Sequence, residues 1–352
     1  MNPSFRGCIL SLLFCFLSNS GLAALVSPSI PNRTVFAIKC LTENSVWIGT
    51  EAGAAHFDGR AWTVYRPEDG LPHKVITSIA LDPQDQSLWF GTFGGVVRYR
   101  EGKFEAFTVQ NSGLVNNVVY GVTVARPYVW IATTNGLSRY SLESGQWKTF
   151  NDENSPMVEV WGYAATTDSF TGDPWFAIWG SGVLHAKKDG ETFDSYQDPD
   201  EIFDVDVVRN DGILHEIQAT ISARNGIIYS GSYFGLTRFD GKSWNTWTVK
   251  DPDSGLPSDF INVVKISPDG SLCAIGTDKG LCLFNFEKNR WVTYRKSPGG
   301  AGGELRIFDQ GMWRSEALAQ APAGDFIWSV DFLGDTMWVG TSSGLYTCRI
   351  IR

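Results

Sequence analysis

The chain has 352 residues, of which 43% are hydrophobic and 19% are charged, a balance typical of folded rather than disordered proteins. Its net charge of −9 and pI of about 5.0 argue against a surface for nucleic acid or anionic membranes, which would need a basic stripe. The length exceeds that of most single domains but suits a large closed β architecture.

The first 23 residues are predicted to be a secretory signal peptide. Arg6 precedes a short apolar run at residues 8–18, and the small residues at 21–23 fit a cleavage site after Ala23 or Ala24. The apolar run is shorter than the roughly 20 residues of a membrane span, so an uncleaved anchor is the less favoured alternative. We therefore expect a signal at 1–23 and a folded domain at 24–352, located in the periplasm or secreted.

The remaining sequence repeats itself. A small residue follows a short apolar segment at seven places, which lie 41 to 64 residues apart: Gly49, Gly91, Ala132, Ala177, Gly231, Gly276 and Gly340. A period in the forties with several short strands per repeat is the signature of a β-propeller. The sequence therefore predicts an all-β fold, a seven-bladed β-propeller of four-stranded blades.

Aromatic residues recur at fixed positions of the repeat. The second predicted strand carries a tryptophan just before the small residue in five repeats: Trp47, Trp89, Trp130, Trp175 and Trp338. Large side chains that return at one position mark packing between repeats. We therefore predict that Trp47, Trp89, Trp130 and Trp338 are buried between blades rather than exposed to a ligand.

The repeat also identifies a family. The pattern W-[IF]-G-T-x-x-G-[LV]-x-x-[FY]-x-x-G-x-[WF]-x-x-[FY] is followed by DGLPHKV at residues 69–75, SGLVNNV at 112–118 or SGLPSDF at 254–260. It resembles the two-component regulator propeller repeats, which form extracytoplasmic sensor propellers of bacterial hybrid histidine kinases. Larger members of that family continue into a membrane helix and a kinase. The resemblance implies the shape of a sensor module without the kinase output part.

Two repeats depart from this pattern. Repeat four has ENSPMVEV in place of the GLP turn, and repeat seven ends after its third strand. The spare strand-like segment at residues 24–30 is expected to add the fourth strand of blade seven, since closure by both termini removes an open sheet edge.

Departures from the repeat mark the candidate site, because function is carried by what a fold adds to its scaffold. Two connections between blades are long, at residues 197–214 and 296–324, and long loops are functional or disordered. The second begins with PGGAGG, which predicts mobility. We expect both loops to shield a ligand on one face of the propeller.

The innermost strands contain one column without a regular residue type: Phe36, Thr77, Tyr120, Trp161, Gln218, Asn262 and Trp328. The turns after the second strands add Phe93, Trp179, Tyr233 and Phe234. Flat rings beside polar groups suit saccharides or other small polar ligands. The candidate ligand-binding residues are Tyr120, Trp161, Trp179, His215, Tyr233, Phe234 and Trp328; the alternative is ordinary lining of the channel mouth.

Catalytic and metal chemistry has weaker support. An entrance ring is expected at Arg33, Lys74, Asn117, Val158, His215, Asp259 and Asp325, in which Arg33 and Asp325 would pair across the closure of the circle. His73 or His215 could serve as a base, with Arg33 or Lys74 as the cation of a polysaccharide lyase. No Ser-His-Asp order or metal-ligand spacing occurs, so no catalytic residue or cofactor is predicted.

Two further features leave alternatives open. The acidic loop at 198–211 could hold Ca²⁺ through Asp198, Asp200, Glu201, Asp204, Asp206 and Asp211, although a solvated loop is the favoured interpretation. Cys40, Cys273, Cys282 and Cys348 lie in apolar predicted strands as packed thiols, and a Cys273–Cys282 bridge is the alternative.

The sequence thus favours an exported, non-enzymatic module that binds a saccharide or small polar ligand on the long-loop face. A scaffold that binds another protein over that face and a lyase-like enzyme are the alternatives. The sequence predicts no partner nucleic acid, and no membrane span once the signal is cleaved.

Overall fold

The structure, a computed structural model, describes residues 22–23, 34–199, 210–297, 302–318 and 326–350. These residues form seven antiparallel sheets. The first strand of each sheet contacts the first strand of the next, and the first strand of sheet seven contacts that of sheet one. The predicted seven-bladed β-propeller is confirmed. The helix within the described ranges is a single 3-10 turn, Pro67–Asp69, and no helix there has the length and apolarity to cross a membrane.

The blades follow one another along the chain, apart from an amino-terminal strand, β1 (Leu22–Ala23). Blade one comprises β2 (Val35–Thr42), β3 (Ser45–Thr50), β4 (Gly53–Phe57) and β5 (Trp62–Tyr65). Blade two comprises β6 (Ile76–Leu81), β7 (Leu88–Thr92), β8 (Gly95–Arg100) and β9 (Lys103–Phe107). Blade three comprises β10 (Val119–Ala125), β11 (Tyr128–Thr133), β12 (Gly136–Ser141) and β13 (Trp147–Phe150).

The remaining four blades repeat the order with local additions. Blade four comprises β14 (Trp161–Thr167), β15 (Pro174–Trp179), β16 (Gly182–Ala186) and β17 (Phe193–Tyr196). Blade five comprises β18 (Gln218–Arg224), β19 (Ile227–Ser232), β20 (Leu236–Phe239) and β21 (Trp244–Trp247). Blade six comprises β22 (Ile261–Ile266), β23 (Cys273–Thr277), β24 (Gly280–Asn285), β25 (Arg290–Lys296), β26 (Gly303–Asp309) and β27 (Met312–Leu318). Blade seven comprises β28 (Ile327–Leu333), β29 (Thr336–Thr341) and β30 (Gly344–Arg349).

The core of the described residues consists of seven apolar clusters, one at each interface between neighbouring blades. The repeated tryptophans lie in these clusters, and Trp47, Trp89, Trp130 and Trp338 are at most 8% exposed. The prediction that they are packing residues is confirmed. The leucines of the GLP-type loops, Leu71 and Leu114 among them, are buried beside them. Each blade therefore adheres to the next mainly through the hydrophobic effect.

The turn between the second and third strands explains the repeated G-T-x-x-G motif. The Thr50 hydroxyl accepts from the N–H of Ala52 and donates to the carbonyl of Gly53. Gly53 has φ +133°, and a Cβ there would lie 2.2 Å from the carbonyl oxygen of Tyr65. Only glycine satisfies both the positive φ and the close approach. The same hydroxyl bonds recur at five further turns, beginning with Thr92, Thr133, Ser232, Thr277 and Thr341.

The described strand that closes blade seven comes from the amino-terminal segment and lies just before the predicted residues. Leu22 and Ala23 pair with Cys348 and Thr347 of β30, whereas the predicted segment 24–30 lies outside the described residues. The strand therefore falls within the predicted signal peptide. The expected Arg33–Asp325 pair also lies outside the described residues. Within the described residues, Asp331 of β28 links blades six, seven and one: it accepts from the N–H of Cys40 at 2.8 Å and lies 3.5 Å from the Lys265 ammonium.

The prediction that the loop at 296–324 is mobile and covers the face is wrong for its central part. Residues 303–318 form the hairpin β26–β27, which extends blade six outward to six strands. β26 pairs with β25 from Trp291 to Lys296, and Leu305, Ile307 and Phe308 are buried against the adjoining clusters. An apolar alternation after the glycines makes this segment a strand pair rather than a lid. In the other long loop, at 197–214, residues 200–209 lie outside the described residues.

Candidate functional site at the channel mouth

The side chains at the channel mouth are positioned by a repeated irregularity. In all seven blades the pairing of the first and second strands shifts by one residue near the start of the first strand. Such a bulge leaves one residue unpaired and re-aims its side chain. The bulged residues are Phe36, Thr77, Tyr120, Tyr163, Ala219, Asn262 and Trp328.

This register corrects the predicted column in two blades. In blade four the bulge falls at Tyr163, between Gly162 and Ala164, so Trp161 lies two residues before the predicted position. In blade five Gln218 pairs with Ser232 and the bulge falls at Ala219. Gln218 is fully buried and donates to the carbonyl of His215. In blade five the shift follows a longer loop. In blade four Tyr163 follows Phe150 at the same spacing as Tyr120 follows Phe107, and the shift was missed because Val160 and Gly162 match the β-branched and small residues of the other blades.

Blade four also departs from the others at its turn. Ile178 stands where other blades have a threonine or serine, and it pairs with Gly182 across a three-residue connection instead of a two-residue one. The extra residue lengthens the strand, so that Trp179 is the last residue of β15 and pairs with Trp161, the first residue of β14. Trp179 therefore lies at a strand end and not in a turn as predicted. Two tryptophans face each other at the mouth.

Aromatic side chains from the strand starts and the adjoining loops touch one another around the mouth. Their ring centroids are 5.4 Å apart for Phe93–Tyr120, 4.9 Å for Tyr120–Tyr163, 5.4 Å for Tyr163–Trp179, 5.3 Å for Trp179–Tyr233, 3.9 Å for Tyr233–Phe260, 6.5 Å for Phe260–Phe326, 5.4 Å for Phe326–Trp328 and 5.5 Å for Trp328–Phe36. Trp161 joins this set through Tyr163, at 5.6 Å. We call these ten residues the aromatic belt.

Part of the belt is open to solvent. Trp161 is 39% exposed and Phe326 is 38% exposed, and the other belt members are partly buried. Burial, followed by the contact with Tyr233, raises the pKa of Tyr163 to about 12. Burial also raises the pKa values of Tyr120 and Tyr233. The hydroxyls therefore stay neutral at physiological pH, and the belt offers ring faces and uncharged hydrogen-bonding groups.

His73 and His215 occupy equivalent positions in blades two and five. The Nδ1 atom of each accepts from the backbone N–H two residues later, at 3.0 Å in both cases. Asn116 and Ser258 accept the corresponding bond in blades three and six. His215 is 2% exposed and stacks on Phe234 with ring centroids 3.9 Å apart, and burial lowers its pKa. The two histidines thus share a structural role with an asparagine and a serine of the neighbouring blades.

Two described members of the expected entrance ring have a structural role. Asn117 and Asp259 each accept from a backbone N–H of the preceding loop, at 2.9 and 2.7 Å. Val158 and Lys74 are exposed. In the described part of the chain no group of three or more metal-ligating side chains occurs, and residues 200–209 of the acidic loop lie outside it. Cys40, Cys273, Cys282 and Cys348 are free thiols.

The structure thus brings together Tyr120, Trp161, Trp179, Tyr233 and Trp328 of the predicted site residues. Phe234 and His215 stack on each other beside this set rather than within it. Sequence reasoning missed Tyr163, Phe260 and Phe326. Phe260 and Phe326 share the position of Trp161, two residues before the bulge of the first strand. A comparison of the blades at that position would have found these two residues.

Comparison with known proteins agrees with the predicted resemblance. Residues 70–94 match the family model described as "Two component regulator propeller". The chain carries a two-component regulator propeller repeat. This propeller repeat covers the GLP loop and the first two strands of blade two. No curated protein sequence matches the chain significantly.

Solved structures share the fold of these repeats. One is an extracellular domain assigned to a hybrid two component system of B. thetaiotaomicron, 16% identical, with a TM-score of 0.68 over 91% of this chain and 40% of that one. A second such domain from the same organism is 15% identical, with a TM-score of 0.65 over 95% and 40%. This chain thus spans less than half the length of either domain. Virginiamycin B lyase from Staphylococcus aureus is 11% identical, with a TM-score of 0.64 over 95% of this chain and 100% of the lyase.

Proposed function

We propose that this chain is an exported, sensor-like binding module whose ligand stacks on the aromatic belt. A saccharide or another small polar ligand with flat apolar faces is the class that suits it. The observation that carries the proposal is Trp161, a tryptophan 39% exposed that contacts three other aromatic rings of blades three and four. Packing alone gives no reason to keep such a ring at the mouth.

The chemistry of the belt supports this class of ligand. Sugar rings present C–H faces to aromatic rings and hydroxyls to neutral polar groups. The belt supplies ring faces at Trp161 and Trp179 and neutral phenols at Tyr120, Tyr163 and Tyr233. The similarity to extracellular sensor domains supports an exported location and a sensory role.

A lyase activity is the less favoured proposal. It would need a base that reaches the ligand, whereas His215 is buried and the Nδ1 atoms of His73 and His215 both accept backbone bonds. A binding module needs no such base. The propeller similarity to virginiamycin B lyase concerns the fold, at 11% identity.

Calorimetric titration of the purified protein against a panel of oligosaccharides tests the proposal. Trp161→Ala should weaken binding by about 1–3 kcal/mol, as removal of an interface anchor does. Phe170→Ala is the matched control, because Phe170 is 81% exposed in the β14–β15 turn at the opposite end of the blade. Equal affinity of wild type and Trp161→Ala for every ligand that binds would place the site elsewhere.

A further inference from the structure

β27, the outermost strand of blade six, forms an open sheet edge within the described residues. β27 pairs with β26 on one side, and no other strand of the described residues lies on its second side. Seven residues without proline form this edge, and Met312 is 68% exposed. An unpaired strand of this length is a template for another strand.

The hairpin turn determines which backbone groups face outward. β26 and β27 are joined by Gln310 and Gly311, whose φ values of +49° and +77° fit a two-residue type I′ turn. In such a hairpin the closing pair, Asp309 and Met312, exchanges both of its backbone hydrogen bonds. The backbone N–H and C=O groups of successive residues point to alternate sides of a strand. Those of Trp313, Ser315 and Ala317 therefore point away from β26.

We propose that two copies of this chain pair through β27 in an antiparallel, two-fold symmetric arrangement centred on Ser315. In this register Ser315 faces the partner's Ser315, and Trp313 faces the partner's Ala317. The six outward N–H groups of the two strands then find six outward C=O groups. The two blades become one continuous sheet.

The side chains select this register over its neighbours. Centring on Ser315 places Arg314 opposite the partner's Glu316 twice, and Met312 opposite the partner's Leu318 twice. Arg314 and Glu316 then occupy non-hydrogen-bonded pairs, in which side chains approach most closely. The two adjacent registers that keep outward groups in contact place Arg314 opposite Arg314 or Glu316 opposite Glu316. Like charges directly opposite disfavour both.

Sedimentation analysis of the full protein tests the pairing through charge reversal. Wild type should sediment at twice the monomer mass at high concentration. Arg314→Glu alone and Glu316→Arg alone should each be monomeric, since each places like charges opposite. Mixing the two single variants should restore a dimer, because the carboxylates of one chain then face the guanidinium groups of the other at both pairs. The double variant should dimerise alone for the same reason.

A crosslink identifies the symmetry axis. Ser315→Cys should form an intermolecular disulfide under mild oxidation, whereas wild type, whose described thiols lie at other positions, should not. A wild type that stays monomeric at its highest soluble concentration overturns the proposal. So does a dimer that both single charge reversals leave intact, or slow amide exchange at Trp313 and Ser315 in a monomer, which would show that the chain covers its own edge.

Discussion

Tyr163 lies nearly parallel to Trp179, with an interplanar angle of 26° and ring centroids 5.4 Å apart, and it also stacks on Tyr120. The bulge in β14 places it there. The ring links the mouth of blade three to the two tryptophans of blade four and holds them in one orientation. Tyr163 is therefore expected to position the belt as much as to contact a ligand.

Two substitutions distinguish the contribution of the Tyr163 ring to ligand binding from that of its hydroxyl. Tyr163→Phe keeps both stacking contacts and should change ligand affinity by less than about tenfold, the worth of one ordinary hydrogen bond. Tyr163→Ala removes the stacking and should weaken binding by about 1–3 kcal/mol. Calorimetry gives both values. Equal losses in the two variants would show that the hydroxyl, not the ring, is what matters.

The raised pKa of Tyr163 predicts an alkaline loss of stability. The neutral phenol is favoured in the folded chain, with a pKa of about 12 against about 10 in the unfolded chain. The stabilisation is therefore complete below pH 10 and is lost as the pH rises from 10 to 12. Urea midpoints measured across that window should fall more in wild type than in Tyr163→Phe. Parallel curves would contradict the assignment.

His215 predicts the opposite dependence, on the acid side. Burial lowers its folded pKa below the unfolded value of about 6.5, so the unfolded chain takes up the proton first as the pH falls. Stability present above pH 6.5 is lost below it. His215→Asn keeps an acceptor for the N–H of Ile217, as Asn116 does for Val118. Its unfolding free energy should fall less than that of wild type between pH 7.5 and pH 5.5.

Trp89 tests the packing role of the repeated tryptophans. It is fully buried between blades two and three, and the Arg98 guanidinium lies 5.6 Å from its ring centre. Trp89→Ala should destabilise the fold by about 3–5 kcal/mol, measured by chemical denaturation. Phe170→Ala should stay within about 0.5 kcal/mol of wild type. Normal stability of Trp89→Ala combined with lost ligand binding would show that Trp89 belongs to a site.

The pairing of β1 with β30 predicts a role for the amino-terminal segment. A protein that begins at residue 31 lacks Leu22, Ala23 and the spare segment 24–30, and exposes the outer edge of β30. It should melt a few degrees below a protein that begins at residue 22, in line with a loss of about 1–2 kcal/mol. Identical melting temperatures would show that the edge needs no partner.

The blades could be predicted because each one repeats the same solution to the same packing problem. Trp47 and Trp89 mark the interface between blades, and Thr50 and Gly53 mark the turn. The period of the repeat can therefore be recognised from the sequence alone. The register of blade four was an exception. Tyr163 was missed because Val160 and Gly162 match the β-branched and small residues that flank the bulge in other blades, although Tyr163 follows Phe150 at the same spacing as Tyr120 follows Phe107.

The hairpin β26–β27 could not be predicted for a different reason. PGGAGG at its start strongly indicates a loop, and the residues that follow were therefore also interpreted as loop. The alternation of Leu305 and Ile307 with polar residues was the available strand signal. A glycine-rich segment excludes a strand at its own position, but it says nothing about the structure of the residues that follow it.

The extra residue in the turn of blade four has a geometric consequence for recognition. A ring of seven identical blades would present seven equivalent orientations to anything lying across its centre. The lengthened strand ending at Trp179 gives the ring a reference direction, so a ligand with two distinct ends meets one orientation that differs from the other six. A scaffold built from near-identical blades can thus distinguish the two ends of a bound molecule.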